Sequence, residues 1–349
     1  MKNIISIFFL ILITQLSFCT TEPDNKNSFS PDTTSQNFRF KTTEFGNNST
    51  LNKFEDVWVF DEKNIWAVGY LNSEYGTINI MRWDGKKWFP QYPYIFNRVL
   101  VGVWAADTSN IFFAYGRLYK YENRHIITYK MGDFDSDDRF IIYKLWGTYE
   151  NNIWGIGAMG SLVHYNGKIW KRINFDPIWN FYEITGNKYS GTGYAIAKKN
   201  NSGFIIVELK DESAKIIYDE SKNIPSLKSA DIKYYNDKLY LGFTDYTGTK
   251  IWYYDLLTQE TVIQKTLPRK TRDVEIKQIE MRKGNDIYYL GNSMYSEFGF
   301  IHFNGIKYKT IFGDYQKKIT FTGSHTDGNI CAAVGYSYDK AFITIISRY

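Results

Sequence analysis

The chain has 349 residues, of which 44% are hydrophobic, 18% aromatic and 23% charged, a globular composition with too many aromatic side chains for a disordered chain. A formal charge of +5, from 42 Lys and Arg against 37 Asp and Glu, is too small to create the basic field of a nucleic-acid binder. Of the two cysteines, Cys19 and Cys331, the folded part keeps only Cys331 once Cys19 is lipidated or cleaved away, so no internal disulfide is expected and stability must come from packing.

At the start, Lys2 precedes an apolar run, residues 4–13, broken only by Ser6. A membrane span needs about 20 apolar residues, so the run predicts a secretory signal peptide over 1–18. It ends in Leu16-Ser17-Phe18-Cys19, which resembles the lipobox of bacterial lipoproteins. That resemblance implies lipidation of Cys19 and contact with a membrane through the lipid anchor only. Phe18 stands where the pattern has a small residue, and ordinary signal-peptidase cleavage nearby is the alternative. Both readings export the protein to the bacterial cell envelope, periplasmic or at the cell surface. Residues 19–36, rich in Ser, Thr, Asn, Asp and Pro, predict a flexible tether, and 37–349 the folded domain.

Within that domain a unit repeats. Asn64-Ile65-Trp66-Ala67-Val68-Gly69 recurs as Asn152-Ile153-Trp154-Gly155-Ile156-Gly157, and more loosely around Phe112, Tyr194, Tyr240, Tyr288 and Cys331. Spacings between these anchors are 46, 42, 40, 46, 48 and 43 residues, which makes seven units. In the first unit, 54–60, 65–70, 77–83 and 87–92 read as four strands, with Asp84-Gly85 between the third and fourth. Its counterparts are Asn166-Gly167 and Asn304-Gly305, pairs that suit a type I′ hairpin turn. Four-stranded units at ~40 to 50 residues predict blades, giving an all-β fold: a seven-bladed β-propeller of antiparallel blades. The large aromatic anchors belong in the core between blades. Because the last unit lacks a fourth strand, the alternating segment Phe38-Arg39-Phe40-Lys41-Thr42-Thr43-Glu44-Phe45 is expected to supply it and close the ring.

The strings Val57-Trp58, Asn64-Ile65-Trp66-Ala67-Val68-Gly69 and Trp83-Asp84-Gly85-Lys86-Lys87-Trp88, with Leu145-Trp146-Gly147 and Tyr165-Asn166-Gly167-Lys168-Ile169-Trp170, resemble the repeats of exported bacterial β-propeller lipoproteins, relatives of WD-repeat and Asp-box propellers. The resemblance is good in units one and three, partial in two, six and seven, and weak in four and five. It implies fold and export, because most members have no assigned activity.

Chemistry is sparse. His164 and His302 share one repeat position, that of Arg82, on non-adjacent blades, which argues against a shared metal site. His125 and His325 have no ligand-spaced partners, and surface or hydrogen-bonded roles are expected. Cys331, in an apolar stretch, reads as a buried inert thiol. The only Arg-Ile pair, Arg172-Ile173, is followed by Asn174, so the Arg-Ile-Pro of propeller sialidases is absent, and no cofactor-binding motif occurs. Asp133, Asp135 and Asp137 begin like a calcium loop, but Asp138 and Lys144 occupy the places of its Gly and Glu, leaving a solvated acidic turn or a weak Ca²⁺ site.

Two connections, 90–96 and 175–181, carry rings where small polar residues are usual. Tyr92, Tyr94, Phe96, Trp179 and Phe181 are therefore candidate ligand-binding residues, against the alternative that they cap blade edges. Beside the acidic loop they would suit a neutral or cationic glycan or peptide. The resulting expectation is a monomeric, non-catalytic binding or assembly scaffold for a glycan or envelope protein, with no nucleic acid. A polysaccharide hydrolase or lyase is the alternative, decided by whether carboxylates converge at the central channel.

Overall fold

A computed structural model of the chain describes residues 33–46, 52–74, 76–91, 99–123, 125–129, 140–199, 202–222, 227–268, 275–292, 298–312 and 319–349. Twenty-eight strands in these residues form seven four-stranded sheets. Strand β1 (Phe38–Phe45) comes first, and blade 1 follows as β2 (Lys53–Asp61), β3 (Asn64–Ser73), β4 (Gly76–Trp83) and β5 (Trp88–Pro90). Blade 2 is β6 (Gly102–Asp107), β7 (Asn110–Tyr115), β8 (Arg117–Glu122) and β9 (His125–Thr128); blade 3 is β10 (Ile141–Tyr149), β11 (Asn152–Ala158), β12 (Leu162–Tyr165) and β13 (Trp170–Arg172). Blade 4 is β14 (Asn180–Gly186), β15 (Gly193–Lys198), β16 (Ile205–Lys210) and β17 (Ser213–Asp219); blade 5 is β18 (Ser229–Tyr235), β19 (Lys238–Thr244), β20 (Gly248–Asp255) and β21 (Glu260–Pro268). Blade 6 is β22 (Glu275–Lys283), β23 (Asp286–Asn292), β24 (Phe298–Phe303) and β25 (Tyr308–Phe312). Blade 7 joins β26 (Thr320–Thr326), β27 (Ile330–Ser337) and β28 (Lys340–Arg348) to β1, from Phe38 opposite Arg348 to Phe45 opposite Ala341. The N-terminal strand thus completes the last blade, as its alternation predicts.

The first strands touch in the cycle β2, β6, β10, β14, β18, β22, β26 and back to β2, so they line the axis of a closed seven-bladed β-propeller. A single blade cannot bury both faces, and its apolar residues are shared with its neighbours instead. Seven buried clusters result, one at each joint between blades. Trp66, Phe112, Trp154, Tyr194, Tyr240 and Tyr288 are all buried in them, and each such aliphatic or aromatic side chain contributes about 1.5–3 kcal/mol by leaving water. At the closure, Phe38 packs edge-on against Phe300 and Tyr288 of blade 6, while Phe45 packs against Phe54 and Trp88 of blade 1.

Two local expectations are corrected. Trp83 pairs with Trp88, Tyr165 with Trp170 and Phe303 with Tyr308, so the Asp-Gly and Asn-Gly pairs sit in four-residue connections, not two-residue type I′ turns. The Asp84 carboxylate accepts the N–H groups of Lys86 and Lys87, and Asn166 and Asn304 repeat the pattern, while the glycine takes a positive φ. A side chain that caps the turn makes a longer loop as well defined as a tight one. Two-residue turns with both φ positive occur at Asp211-Glu212 and Asn236-Asp237, without glycine. In blade 7, Gly335 lies opposite Phe321 as Gly69 lies opposite Phe54. The repeated Ala-Val-Gly-Tyr therefore sets the register, and Ala332 rather than Cys331 occupies the place of Trp66.

Candidate functional site

In blades 1, 3, 4, 6 and 7 the pairing of first and second strands slips by one residue, at Glu55, Tyr143, Tyr182, Lys277 and Thr322. Such a bulge re-aims the residues after it. It also brings two backbones so close that a Cβ on Gly69, Gly157 or Gly335 would collide with the carbonyl of Lys53, Ile141 or Thr320, which explains the glycine that ends the repeat motif. The next register position around the ring holds Asp56, Gly102, Lys144, Glu183, Asp231, Gln278 and Gly323; two residues on stand Trp58, Trp104, Trp146, Thr185, Lys233, Glu280 and His325. Most of these side chains line a cavity of about 210 Å³ in the central channel, which extends to Lys188 in the turn after β14.

Carboxylates do converge there, and each is held. Asp56 accepts the N–H of Val103 at 3.1 Å from the next blade. A Cβ on Gly102 would collide with the Tyr143 carbonyl, and Lys144 of blade 3 reaches across blade 2 to Asp56 at 3.0 Å, with Glu183 at 3.8 Å. Asp231 accepts the N–H groups of Ile232 and, across a joint, Ile279, both at 2.6 Å. Glu280 pairs with Lys233 at 3.2 Å and accepts from Ser324 of blade 7 at 3.0 Å. Burial pushes Glu280 up to about 7 despite Lys233, and raises Asp56 and Asp231 as well. Burial works to lower the two ammonium groups, but Asp56 and Glu183 beside Lys144, and Glu280 and Asp231 beside Lys233, hold both above the ordinary lysine value.

His325 stacks on Trp58 with centroids 3.9 Å apart, and its Nδ1 accepts the N–H of Val59 at 3.1 Å. Burial and the nearby Lys233 and Lys188 hold it well below the usual imidazole range. A neutral ring whose Nδ1 lone pair is engaged carries its proton on Nε2. His325 is therefore a hydrogen-bond donor and not a base.

The repeat position shared by Arg82, His164 and His302 has a common task. Each bonds the residue that opens its own second strand: Arg82 to Asn64 at 3.1 Å, His164 to Asn152 at 2.7 Å and His302 to Asp286 at 2.8 Å. Both histidines are thus hydrogen-bonded within separate blades. Cys331 is buried, and burial raises its thiol well above the ordinary value.

Of the aromatic candidates, Trp179 is 7% exposed and Phe181 1%, both packed in the joint between blades 3 and 4 with Ile173 and Ile184. Those two rings offer no platform; they close the core, because the bulge at Tyr182 turns Phe181 inward and Tyr182 outward. Tyr92, Tyr94, Phe96, Asp133, Asp135, Asp137 and Cys19 lie outside the described residues. The channel side chains escaped the sequence reading, although one signal was there: a polar residue two after an apolar one, recurring within successive first strands as in Phe54-Glu55-Asp56, Ile142-Tyr143-Lys144, Phe181-Tyr182-Glu183 and Ile276-Lys277-Gln278.

No protein-family model and no curated protein matches the sequence. Among solved structures, the chain is similar to YCF48 bound to D1 peptide, with a TM-score of 0.63 and 13% identity over 87% of this chain and 96% of that one. It is similar to a catalytically inactive virginiamycin B lyase from Staphylococcus aureus with quinupristin, with a TM-score of 0.63 and 13% identity over 89% and 100%. The β-propeller domain of Cps50 (Swd1) from Myceliophteria thermophila follows at 0.57 and 10% over 87% and 99%. At these identities the likeness is one of fold, that of the β-propellers.

Proposed function

We propose that the protein is an exported binding or assembly scaffold of the bacterial cell envelope, monomeric and held to a membrane through lipid on Cys19, which takes a protein or glycan ligand without turning it over. The observation that carries this reading is the commitment of the channel's charged groups to the joints between blades: Asp56 to Val103, Asp231 to Ile279 and Glu280 to Ser324. Groups that hold blades together are poor candidates for proton shuttling, since catalysis needs them free to meet a substrate. Support also comes from the fold's use in YCF48, seen with a peptide. The apolar run and Cys19 support export and anchoring. Any Ca²⁺ at Asp133, Asp135 and Asp137 is weakly held and is not a cofactor in this reading.

One observation favours the alternative of a polysaccharide-acting hydrolase or lyase: Glu280, held near 7, has the proton affinity of a general acid. Capture from envelope extract and from a polysaccharide panel by the immobilised domain, with the bound material analysed by mass spectrometry, separates the two. The scaffold reading expects saturable binding with the ligand recovered intact. Accumulation of new reducing or unsaturated ends, abolished by Glu280→Gln, would replace it with the enzyme.

A further inference from the structure

The bulge residues Tyr143 and Tyr182 stand on neighbouring blades at the end of the channel opposite Lys188, where the connections between blades emerge. They are 38% and 46% exposed, and Tyr143 is close enough to affect the Tyr182 phenol. The Lys198 ammonium lies 5.0 Å from the centre of the Tyr182 ring and donates to the Leu227 carbonyl at 3.0 Å. Across blade 5, Lys277 is near enough to act on Lys198, though Lys277 itself pairs with Glu275 at 2.5 Å. Among the described residues, no carboxylate is paired with Lys198 or acts on it electrostatically. Lys198 thus offers a half-exposed ammonium beside an exposed ring, with hydrogen-bonding capacity left beyond the Leu227 carbonyl.

We propose that Tyr143, Tyr182 and Lys198 form a site at this channel mouth for an acidic segment of a partner protein, the rings packing its side chains and Lys198 taking a carboxylate. Tyrosine is enriched where proteins meet, because its ring packs while its hydroxyl stays wet. Lys198, the cation placed beside the two rings, favours a carboxylate as the group it takes. An acidic ligand at this site differs from the neutral or cationic one expected for the aromatic connections beside the acidic loop, most of which lie outside the described residues. The proposal deepens the scaffold reading and depends on it for the word partner.

The probe is a fluorescein-labelled Glu-Leu repeat peptide, titrated by anisotropy into the folded protein, with a Lys-Leu repeat peptide and polygalacturonate as comparators. The acidic peptide should bind, and Lys198→Gln or the pair Tyr143→Ala, Tyr182→Ala should weaken it at least about tenfold, or ~1.4 kcal/mol. Lys168→Gln, at the exposed turn on the opposite face, should leave binding unchanged. Equal loss in Lys168→Gln, preference for polygalacturonate, or no binding of the acidic peptide would each overturn the site. Envelope capture without turnover would still stand in those cases, so failure of the site and failure of the scaffold reading are told apart.

Discussion

Arg348, one residue from the end of the chain, places its guanidinium on Asp286, which opens the second strand of the preceding blade. The same guanidinium lies 5.4 Å from the rings of Phe38 and Tyr288, and its Nε donates to the Ser35 carbonyl at 3.2 Å. Thr34 and Gln36 add hydrogen bonds to blade 6 at Asp286, His302 and Lys307. The segment before β1 and the end of β28 are therefore both fastened to blade 6, and closure does not rest on the β1 to β28 ladder alone.

Removing Arg348 would leave a fully buried carboxylate with only His302 and Thr34. Loss of one partner of a buried pair costs about 3–5 kcal/mol, and Arg348→Ala should lower the urea midpoint accordingly, with Arg348→Lys between it and the parent. An unchanged midpoint would show that the strand ladder alone closes the ring. Deleting 37–45 should do more damage than Arg348→Ala and promote aggregation, because it also bares the edge of β28.

The pH dependence of stability follows from two carboxylates with opposite shifts. Burial works to raise Asp286, but His302 and Arg348 overcome it and hold the group below its usual 3.8. Its contribution is present above about pH 3.8 and is lost as the pH falls through the lower folded value. Glu280, near 7 when folded against 4.5 otherwise, keeps a proton that the unfolded chain has released, so its contribution declines as the pH rises from about 4.5 to about 7. His302, held below the ordinary imidazole range by burial, adds a loss on the acid side that begins under about pH 6.5. The difference between parent and Glu280→Gln melting curves should therefore slope between about pH 4.5 and 7, and that for Asp286→Asn below about pH 6.5, because removing Asp286 also takes away the group that favours the protonated His302. Parallel curves over both ranges would contradict the assignments.

The proposed export rests on residues 4–13 and Cys19. Mass spectrometry of the mature N-terminus should find Cys19 carrying a diacyl or triacyl group. An unmodified N-terminus at another residue would remove the anchor and keep export, whereas an intact Met1 would remove both.

What the sequence made legible was what recurs. Trp66 and Trp154 announce the repeat because six of the seven blades put a large ring at that place, blade 7 having Ala332 instead, and Phe38 to Phe45 stood out because an alternating strand had no partner in its own unit. Gly157 recurs for a reason that no periodicity discloses, the carbonyl of Ile141 pressed against it. The channel was harder to see, since Asp56, Lys144 and Glu183 come from three units and meet only once the ring is closed. Trp179 and Phe181 stood out as rings in a connection where small polar residues are usual, but both pack into the joint between blades 3 and 4, and the exposed ring is the next one, Tyr182.

The span from Lys144 to Asp56 is the sharpest test of what the channel charges are for. Lys144 reaches across blade 2 to a carboxylate two blades away, and both ends are largely buried at the channel wall. Lys144→Met alone would leave Asp56 charged against its burial with one N–H for company, which should cost about 3–5 kcal/mol. Asp56→Asn keeps an acceptor for Val103 and removes the charge, so adding it to Lys144→Met should recover much of that loss, the coupling being measurable in a double-mutant cycle. If the groups serve only the joints, the recovered double variant should also capture the same envelope material as the parent. Recovery of stability with loss of capture would place the ligand inside the channel and not at its mouth, and failure to recover would mean that the ion pair itself, beyond its hydrogen bonds, holds blades 1 and 3 in register.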